Sequence, residues 1–238
     1  MTKHKTYKTL EDYRDYLVKD NNWAFMESWN YTFTSPRIEI VNVMDIQSGQ
    51  DIIDVGCADG RTLEYIKNNY NANLYGIEPD KDAAKQAGKH AKIFPITIEE
   101  FLKTNDQEFD LIIMADVIEH LKESWIVVRE LGNRLKKGGY IYASIPNFFN
   151  ATVMMNLFIY GTFGYASNDI VNKEHLRFFT FQDVMALFQI CGLQPEMLGG
   201  LGAQMPEGAV GRAEQLGKVF GRTDYNFDIY QFVLRASK

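Results

Sequence analysis

The stretch that most constrains this chain runs from Asp51 to Gly60 and reads DIIDVGCADG. Its β-branched apolar residues are typical of a strand inside a parallel sheet. Gly56 and Gly60 bracket a turn in which a side chain would keep a ligand away from the backbone. The next residues, 61–66, have the apolar spacing of a helix. A strand, a glycine turn and a helix N-terminus together predict an α/β fold with a pocket of unpaired N–H groups for a polar ligand.

An acidic residue ends the next predicted strand. Residues 73–77 form that strand and Glu78 follows it, at the place where nucleoside-binding α/β folds hydrogen-bond ribose hydroxyls. Dinucleotide enzymes share this pattern, but their turn carries further glycines so that a pyrophosphate can lie against the helix. Here Ala58 stands where a second glycine is expected, and Asp59 would repel phosphates. The pattern therefore favours a ligand with a ribose and an amino-acid tail, whose ammonium group Asp59 would attract.

Several motifs continue this pattern along the chain. After DVGCADG and GIEPD come FDLIIMADVIEHL (109–121), LKKGGYIYASIPN (135–147) and EHLRFFT (174–180). In these motifs, over roughly residues 37–200, the chain resembles the class I (Rossmann-like) S-adenosylmethionine (SAM)-dependent methyltransferases. It is most similar to the small stand-alone methyltransferases of bacterial small-molecule and glycan pathways. The resemblance implies SAM as the cofactor and S-adenosyl-L-homocysteine (SAH) as its product.

The resemblance and the order of predicted elements indicate the fold. We expect an α/β, doubly wound, mostly parallel seven-stranded sheet with an antiparallel C-terminal strand pair and helices on both faces. We expect one domain over residues 1–238, with an N-terminal helical cap at 1–36 and a substrate lid inserted at 148–173. A helical packing element or a dimer contact is the alternative for the inserted segment. The candidate walls of the lid are Phe148, Phe149, Tyr160, Phe163 and Tyr165.

Local patterns make three further predictions. Apolar periodicity predicts a helix over 124–136, with Trp125 facing inward. Glycines predict a loop over 199–211. Arg37 follows a proline at a predicted helix start, and we interpret it as a solvated surface residue, with contact to a cofactor carboxylate as the alternative.

The residues that the resemblance assigns to the cofactor lie at strand ends. They are Asp54, Gly56, Cys57, Ala58, Gly60, Glu78, Pro79, Thr97, Ile98, Ala115, Asp116 and Val117. Glu78 is expected to hold the ribose diol, and Asp54 to orient the turn or reach the amino group through water. After the third strand the family often has an aspartate that contacts the adenine, whereas this chain has Thr97. We therefore expect backbone hydrogen bonds there, with apolar contact from Ile98.

Two histidines are the candidates for catalysis. His120 follows the fourth predicted strand, and His175 precedes a helix-capping pattern. Either histidine would serve a hydroxyl acceptor as a base near neutral pH. A histidine that only hydrogen-bonds nearby backbone is the alternative for His120. Arg177 is expected to hold the lid by pairing with Glu174 or Asp169. The sequence has no cluster of Cys and His at metal-ligand spacing, so we expect no metal.

Composition limits the partners. A net charge of −6 argues against a nucleic-acid partner, and no window approaches the ~18 apolar residues of a membrane helix, so no membrane insertion is expected. Two cysteines without a disulfide pattern favour a cytoplasmic location. The expected partner is a small-molecule or glycan-type acceptor. A homodimer is an open alternative.

The predicted function is transfer of the methyl group of SAM to an oxygen or nitrogen atom of such an acceptor by direct displacement. A non-catalytic SAM-binding protein would keep the same motifs. An NAD-dependent oxidoreductase shares the architecture, but Ala58, Asp59 and the final strand pair argue against it.

Overall fold

A computed structural model describes residues 35–165, 170–202, 209–219 and 227–238, which belong to one compact unit. Its strands are β1 (Asp51–Val55), β2 (Asn73–Ile77), β3 (Lys92–Phe94), β4 (Phe109–Ala115), β5 (Leu135–Pro146), β6 (Gln194–Gly202) and β7 (Ile229–Ser237). They form a seven-stranded sheet in the order β3-β2-β1-β4-β5-β7-β6. The β1–β5 strands pair in parallel, and β7 pairs antiparallel with both β5 and β6. The predicted fold class is confirmed.

Helices connect the strands within the described residues. They are α1 (Ile38–Val41), α2 (Arg61–Asn69), α3 (Lys81–Ala87), α4 (Ile98–Thr104), α5 (Ser124–Asn133), α6 (Ala151–Met155), α7 (Phe181–Ile190) and α8 (Ala209–Val219). A single 3₁₀ turn, Ile118–His120, follows β4, and a π-helical turn, Asn156–Tyr160, continues α6. None of the described helices is long and apolar enough to cross a membrane.

The central strands are buried on both faces, because side chains alternate between two apolar clusters. In β4, Ile112 and Met114 join one cluster, whereas Ile113 joins the other. Ile52 and Ile53 of β1 divide in the same way. Parallel strands with both faces covered read as continuous apolar runs, which explains the sequence pattern. Successive strands are added on one side of β1 up to β3 and on its other side from β4 onwards. Folds of this kind bind ligands at the carboxyl ends of the strands where the strand order changes direction in this way.

Three local predictions are wrong, two of them because of strand pairing. The helix predicted over 124–136 ends at Asn133, and β5 begins at Leu135 because that residue pairs with Phe109 of β4. Trp125 is 41% exposed rather than inward. The loop predicted over 199–211 begins as strand: β6 continues to Gly202. Pairing with a neighbouring strand outweighs local propensity in both places.

The cap predicted at 1–36 lies outside the described residues except for its last two positions. The described part of the lid segment, 148–165 and 170–173, has an apolar cluster of its own around Met154 and Val171. Phe148 packs on Phe178 with ring centroids 5.0 Å apart, and Phe149 packs on Phe227 at 4.8 Å. The other three candidate walls are exposed: Tyr160, Phe163 and Tyr165.

Candidate functional site

The glycine turn and the exit of β4 meet at the carboxyl edge of the sheet. A Cβ atom placed on Gly56 would lie 3.0 Å from Cγ2 of Val117. Gly56 adopts a φ of +70°, and Ala58, two residues on, a φ of +47°. A left-handed conformation is costly for alanine, so the turn is a constrained feature. The structure therefore brings together two of the segments that the sequence assigned to the cofactor.

Four N–H groups of this turn are engaged, whereas those of Asp59 and of the first helical residues, 61–63, have no acceptor among the described residues. Those of Gly56 and Cys57 both donate to the carbonyl of Ile77, at 2.8 and 3.1 Å. Gly60 N–H donates to the carbonyl of Cys57 at 2.9 Å, and Ala58 N–H to Oε2 of Glu78 at 2.9 Å. The turn closes onto the end of β2, which engages its first three N–H groups. The prediction of unpaired N–H groups therefore holds for Asp59 and the start of α2 and is wrong for Gly56, Cys57, Ala58 and Gly60.

Glu78 is fixed at the tip of β2. Its Oε1 accepts the N–H of Asp80 at 2.8 Å, and its Oε2 accepts that of Ala58 at 2.9 Å. Asp80 in turn caps α3 through the N–H groups of Asp82 and Ala83. A carboxylate oxygen has two lone pairs, so each oxygen of Glu78 keeps one acceptor site for a ligand hydroxyl. The predicted ribose contact therefore meets a side chain that is already oriented.

Asp54 is a buried acid without a hydrogen-bond donor. It is 4% exposed, and its side chain accepts no hydrogen bond from the described residues. Burial raises its pKa to about 7, Arg37 opposes the rise, and the charge of Glu78 adds to it. A buried carboxylate is normally paired, so this one fits a ligand that brings a positive charge.

Arg37 is not the surface residue that we predicted. Its guanidinium forms ion pairs with Asp116 and Glu39 and donates hydrogen bonds to Ser144 Oγ at 3.0 Å and Gln231 Oε1 at 2.9 Å. The amide of Gln231 also donates to Asp116. Burial raises the pKa of Asp116, and the neighbouring guanidinium opposes that rise. Asp116 has a φ of +54°, a strained conformation that these contacts hold in place.

Both catalytic candidates lie beside a second unpaired acid, Glu119. This residue is 1% exposed, and neither carboxylate oxygen has a hydrogen-bond partner. Its pKa is raised well above the usual value, mainly by burial and further by the charge of Asp116. The rings of His120 and His175 meet edge to face with centroids 4.7 Å apart.

Each histidine is oriented by a backbone carbonyl. Nδ1 of His120 lies 3.2 Å from the carbonyl oxygen of Glu174, and Nδ1 of His175 lies 2.9 Å from that of Ile170. Burial lowers the pKa of His175 to about 4, so its ring is neutral at neutral pH. Arg177 donates to the carbonyls of Leu176 and Lys122 and, among the described residues, forms no ion pair. The predicted pairing with Glu174 is therefore absent, and Asp169 lies outside the described residues.

The remaining predicted residues take other positions. Cys57 packs with Leu63 in a small apolar cluster, so only its backbone borders the turn. Thr97 is the N-cap of α4, where its Oγ accepts the N–H of Glu100 at 3.2 Å. Ile98 is buried in the main core. Pro79 is exposed beside Glu78, and Ala115 is half-buried at the end of β4.

Sequence reasoning missed the polar residues that surround Asp116. Ser144 and Gln231 are buried, and Arg37 reaches both. Glu119 was also missed, although a second acid just past a buried strand, preceded by two apolar residues, is a detectable signal. No local pattern indicates that Arg37 reaches Asp116, Ser144 and Gln231, since these residues lie far from it in the sequence.

The model of a family described as Methyltransferase domain matches residues 18–196. Among curated proteins, ubiquinone biosynthesis O-methyltransferase from Glaesserella parasuis serovar 5 is 30% identical over 110 residues, which are 42% of this chain and 46% of that protein. Phosphoethanolamine N-methyltransferase from Triticum aestivum is 30% identical over 112 residues, 44% of this chain and 22% of that protein. The chain thus spans less than half the length of these two relatives.

A solved structure has the same fold. The SAM dependent methyltransferase from Archaeoglobus fulgidus superposes with a TM-score of 0.55 at 16% identity, covering 80% of this chain and 86% of that one. The comparisons support SAM as the cofactor, and the residues at the carboxyl edge fit it: Glu78 keeps acceptor sites for hydroxyls, and the unpaired Asp54 suits an ammonium group.

Proposed function

Because the chain belongs to the methyltransferase-domain family, we propose that it transfers the methyl group of SAM to an oxygen or nitrogen atom of a small-molecule or glycan-type acceptor. When bound, SAM supplies a methyl group already activated by its sulfonium. The observation that carries the proposal is the pair of acids at the carboxyl edge: Glu78 is fixed by two backbone N–H groups, and Asp54 is buried without a donor.

The residues of the turn and of the strand ends would hold the cofactor. Glu78 would accept hydrogen bonds from the ribose diol, and Asp54 would receive the amino group. The backbone of Gly56–Gly60 would line the methionine tail. The set proposed beside them is Cys57, Ala58, Pro79, Thr97, Ile98, Ala115, Asp116 and Val117.

The acceptor would lie on the side of His120 and His175. Direct displacement requires mainly that the nucleophile, the methyl group and the sulfur are aligned, which rigid side chains achieve. Both rings are held by backbone carbonyls. The exposed aromatic residues Phe163 and Tyr165, whose ring centroids lie 5.9 Å apart, would favour an acceptor with a flat or apolar face.

Two other properties remain proposals. We propose a cytoplasmic location, which the free thiols of Cys57 and Cys191 support. The alternative to a substrate lid is a homodimer. In that dimer, the segment 148–173 would bury the same exposed aromatic residues against a second copy of the chain.

A non-catalytic SAM-binding protein is the rival function, because both acids at the edge serve binding alone. An acceptor screen separates the two. Purified protein with SAM is offered phenols, catechols, sugars and amino alcohols including phosphoethanolamine, and SAH release is measured. We expect the unchanged protein to release SAH with at least one acceptor. This turnover should be lost in His120→Ala or in His175→Ala, and the control His90→Ala should keep it. Tight SAM binding without SAH release on any acceptor would favour the non-catalytic protein.

A further inference from the structure

The unpaired carboxylate of Glu119 and the two histidines beside it form a compact cluster. One potential ligand atom from each of Glu119, His120 and His175 lies within 4.8 Å of the others. Three ligands bonded to one ion at ~2.1 Å lie roughly 3.4 Å apart in a tetrahedral arrangement. The ligand atoms therefore need to approach one another by at most about 1.4 Å to share one ion.

Burial makes this cluster different from a chance group of polar side chains. Glu119 is 1% exposed, and both its carboxylate oxygens lack a hydrogen-bond partner. Burying a charged group without a partner is costly, and the nearby Arg37 is already engaged by Asp116 and Glu39. A cation bound by Glu119 would remove that cost.

The orientation of the two rings is that of metal ligands. Nδ1 of each ring faces a backbone carbonyl, that of Glu174 for His120 and that of Ile170 for His175. An Nδ1–H bond to a carbonyl fixes the tautomer and leaves the Nε2 lone pair for an ion. Neither Nε2 has a hydrogen-bond partner among the described residues.

The backbone ties the two halves of the cluster together. The carbonyl oxygen of Glu119 accepts the N–H groups of Leu176 and Arg177, at 2.8 and 3.1 Å. The turn that carries His175 is closed by the buried Asn172, whose Oδ1 accepts the N–H of Glu174 at 2.9 Å. The ligand positions are therefore set by the fold before any ion arrives.

We propose that Glu119, His120 and His175 bind one divalent transition-metal ion, which in turn binds an oxygen atom of the acceptor. Two imidazoles and one carboxylate suit Zn²⁺, Fe²⁺, Co²⁺ or Mn²⁺ better than Mg²⁺ or Ca²⁺, which prefer oxygen ligands. Three protein ligands leave open positions for an exogenous group.

The role in acceptor choice rests on the proposed methyltransferase function. A metal-bound hydroxyl loses its proton to solvent near neutral pH, and the resulting oxygen still has lone pairs with which to form the new O–CH₃ bond. The bond between sulfur and methyl breaks, its electron pair stays on sulfur, and SAH leaves. A metal-bound amine, by contrast, has its lone pair occupied. The site therefore selects a hydroxyl acceptor over an amine.

The test measures metal and SAM binding separately. Chelator-treated protein is titrated with Co²⁺ and Zn²⁺ alone, with the Co²⁺ absorption spectrum as a second signal. We expect one equivalent per chain, with affinity reduced on the order of a hundredfold or more in Glu119→Gln and His120→Ala. His90 is the one described histidine outside the cluster. The variant His90→Ala should therefore bind the metal as tightly as the unchanged protein does.

If both Glu119→Gln and His120→Ala still bind metal with unchanged affinity, the site is wrong. The site is also wrong if the unchanged protein binds SAM normally but binds no metal. Metal binding without SAM binding would support the site and contradict the proposed function instead. For acceptor choice, matched phenol and aniline acceptors are compared with and without chelator. We expect only the phenol to be methylated, and only with metal; chelator-resistant methylation of either acceptor would contradict the role of the ion.

Discussion

The two ends of the sheet each place a cation between two acids, but the surroundings differ. At the amino end, Nζ of Lys136 lies 2.5 Å from Asp51 and 2.8 Å from Asp110, and its side chain is 35% exposed. At the carboxyl end, Arg37 pairs with Asp116 and Glu39, and its side chain is 14% exposed.

The two ends differ in the number of buried acidic side chains that lack a partner. Each acid bound to Lys136 has its partner, and the N–H of Asp51 also donates to Asp110 at 2.8 Å. The carboxyl end holds two further buried acids, Asp54 and Glu119, that accept no side-chain hydrogen bond from the described residues. A satisfied ion-pair group belongs to the fold, whereas buried acids without partners indicate a site that a ligand completes.

Removing the cation from each end should give the largest difference. Arg37→Met leaves Asp116 buried without its counter-charge and should lower the free energy of unfolding by about 3–5 kcal/mol. Lys136→Met removes a half-exposed pair and should cost about 1 kcal/mol or less. Urea denaturation of both variants measures the difference. Equal losses would mean that the two ends are energetically alike.

The pH dependence of stability should differ between acids at the two ends. The folded pKa of Asp54 is about 7, well above its unfolded value. The protonated form is therefore favoured by folding, and wild-type stability falls as pH rises from about 4 to about 7. Asp54→Asn escapes this loss, so its advantage over wild type should grow across that window to on the order of 2–4 kcal/mol.

Asp51→Asn is the matched control at the amino end. Burial opposes the effect, but hydrogen bonds from Lys136 and Asn73 prevail and keep the pKa of Asp51 below its usual value. Its stabilising charge is then fully present above its unfolded pKa and is lost only in stronger acid. The difference from wild type should stay constant between pH 5 and 8. Thermal unfolding of both variants across that range checks the contrast, and a flat profile for Asp54→Asn would contradict it.

Cofactor affinity should depend on the carboxyl end alone. Glu78→Ala removes the proposed ribose contact and should weaken SAM binding by about ten- to a hundredfold, or roughly 1.5–3 kcal/mol. Because Glu78 also accepts two backbone N–H groups, binding is measured well below the unfolding temperature of the variant. Asp51→Asn should bind SAM as wild type does. An unchanged affinity in Glu78→Ala would make our placement of the ribose wrong.

Thr97 should show the smallest effect, since its hydroxyl is already satisfied. The capping box with Glu100 engages both residues, and Thr97→Ala should cost ~1 kcal/mol of stability. Thr97→Ser keeps the capping oxygen and should restore it. We expect SAM affinity to change by less than about twofold in either variant, because any cofactor contact there uses the backbone. A larger loss in Thr97→Ala alone would give the side chain a direct role.

The fold was predictable because its signals are local. A buried strand, a glycine turn and an acid after the second strand appear within residues 51–78, and each later motif repeats the alternation of strand and helix. The predicted element boundaries were wrong where pairing between strands distant in the sequence determines the secondary structure. Leu135 joins the sheet because Phe109 lies opposite, and Gly199 and Gly200 extend β6 along Val233 and Phe232.

The site was predictable only in part, for the same reason. Glu78 and His120 follow strand ends and His175 precedes a helix, as the local patterns indicate, while their roles stay predictions. The sequence did not indicate that the N–H groups of the turn at Gly56 would be consumed by Ile77, or that Arg37 would reach Asp116. Contacts between residues far apart in the chain depend on how the elements pack, which no local pattern contains.

We propose that SAM binds at the carboxyl edge of the sheet. Calorimetric titration of the purified protein with SAM, with SAH and with NAD as control tests it most directly. We predict that SAM and SAH bind with a roughly micromolar Kd, a binding free energy of about −8 kcal/mol, and that NAD does not bind. Binding of NAD without binding of SAM would contradict the proposal and make the chain a nicotinamide-binding protein. Binding of neither would leave the glycine turn and Glu78 with a structural role alone.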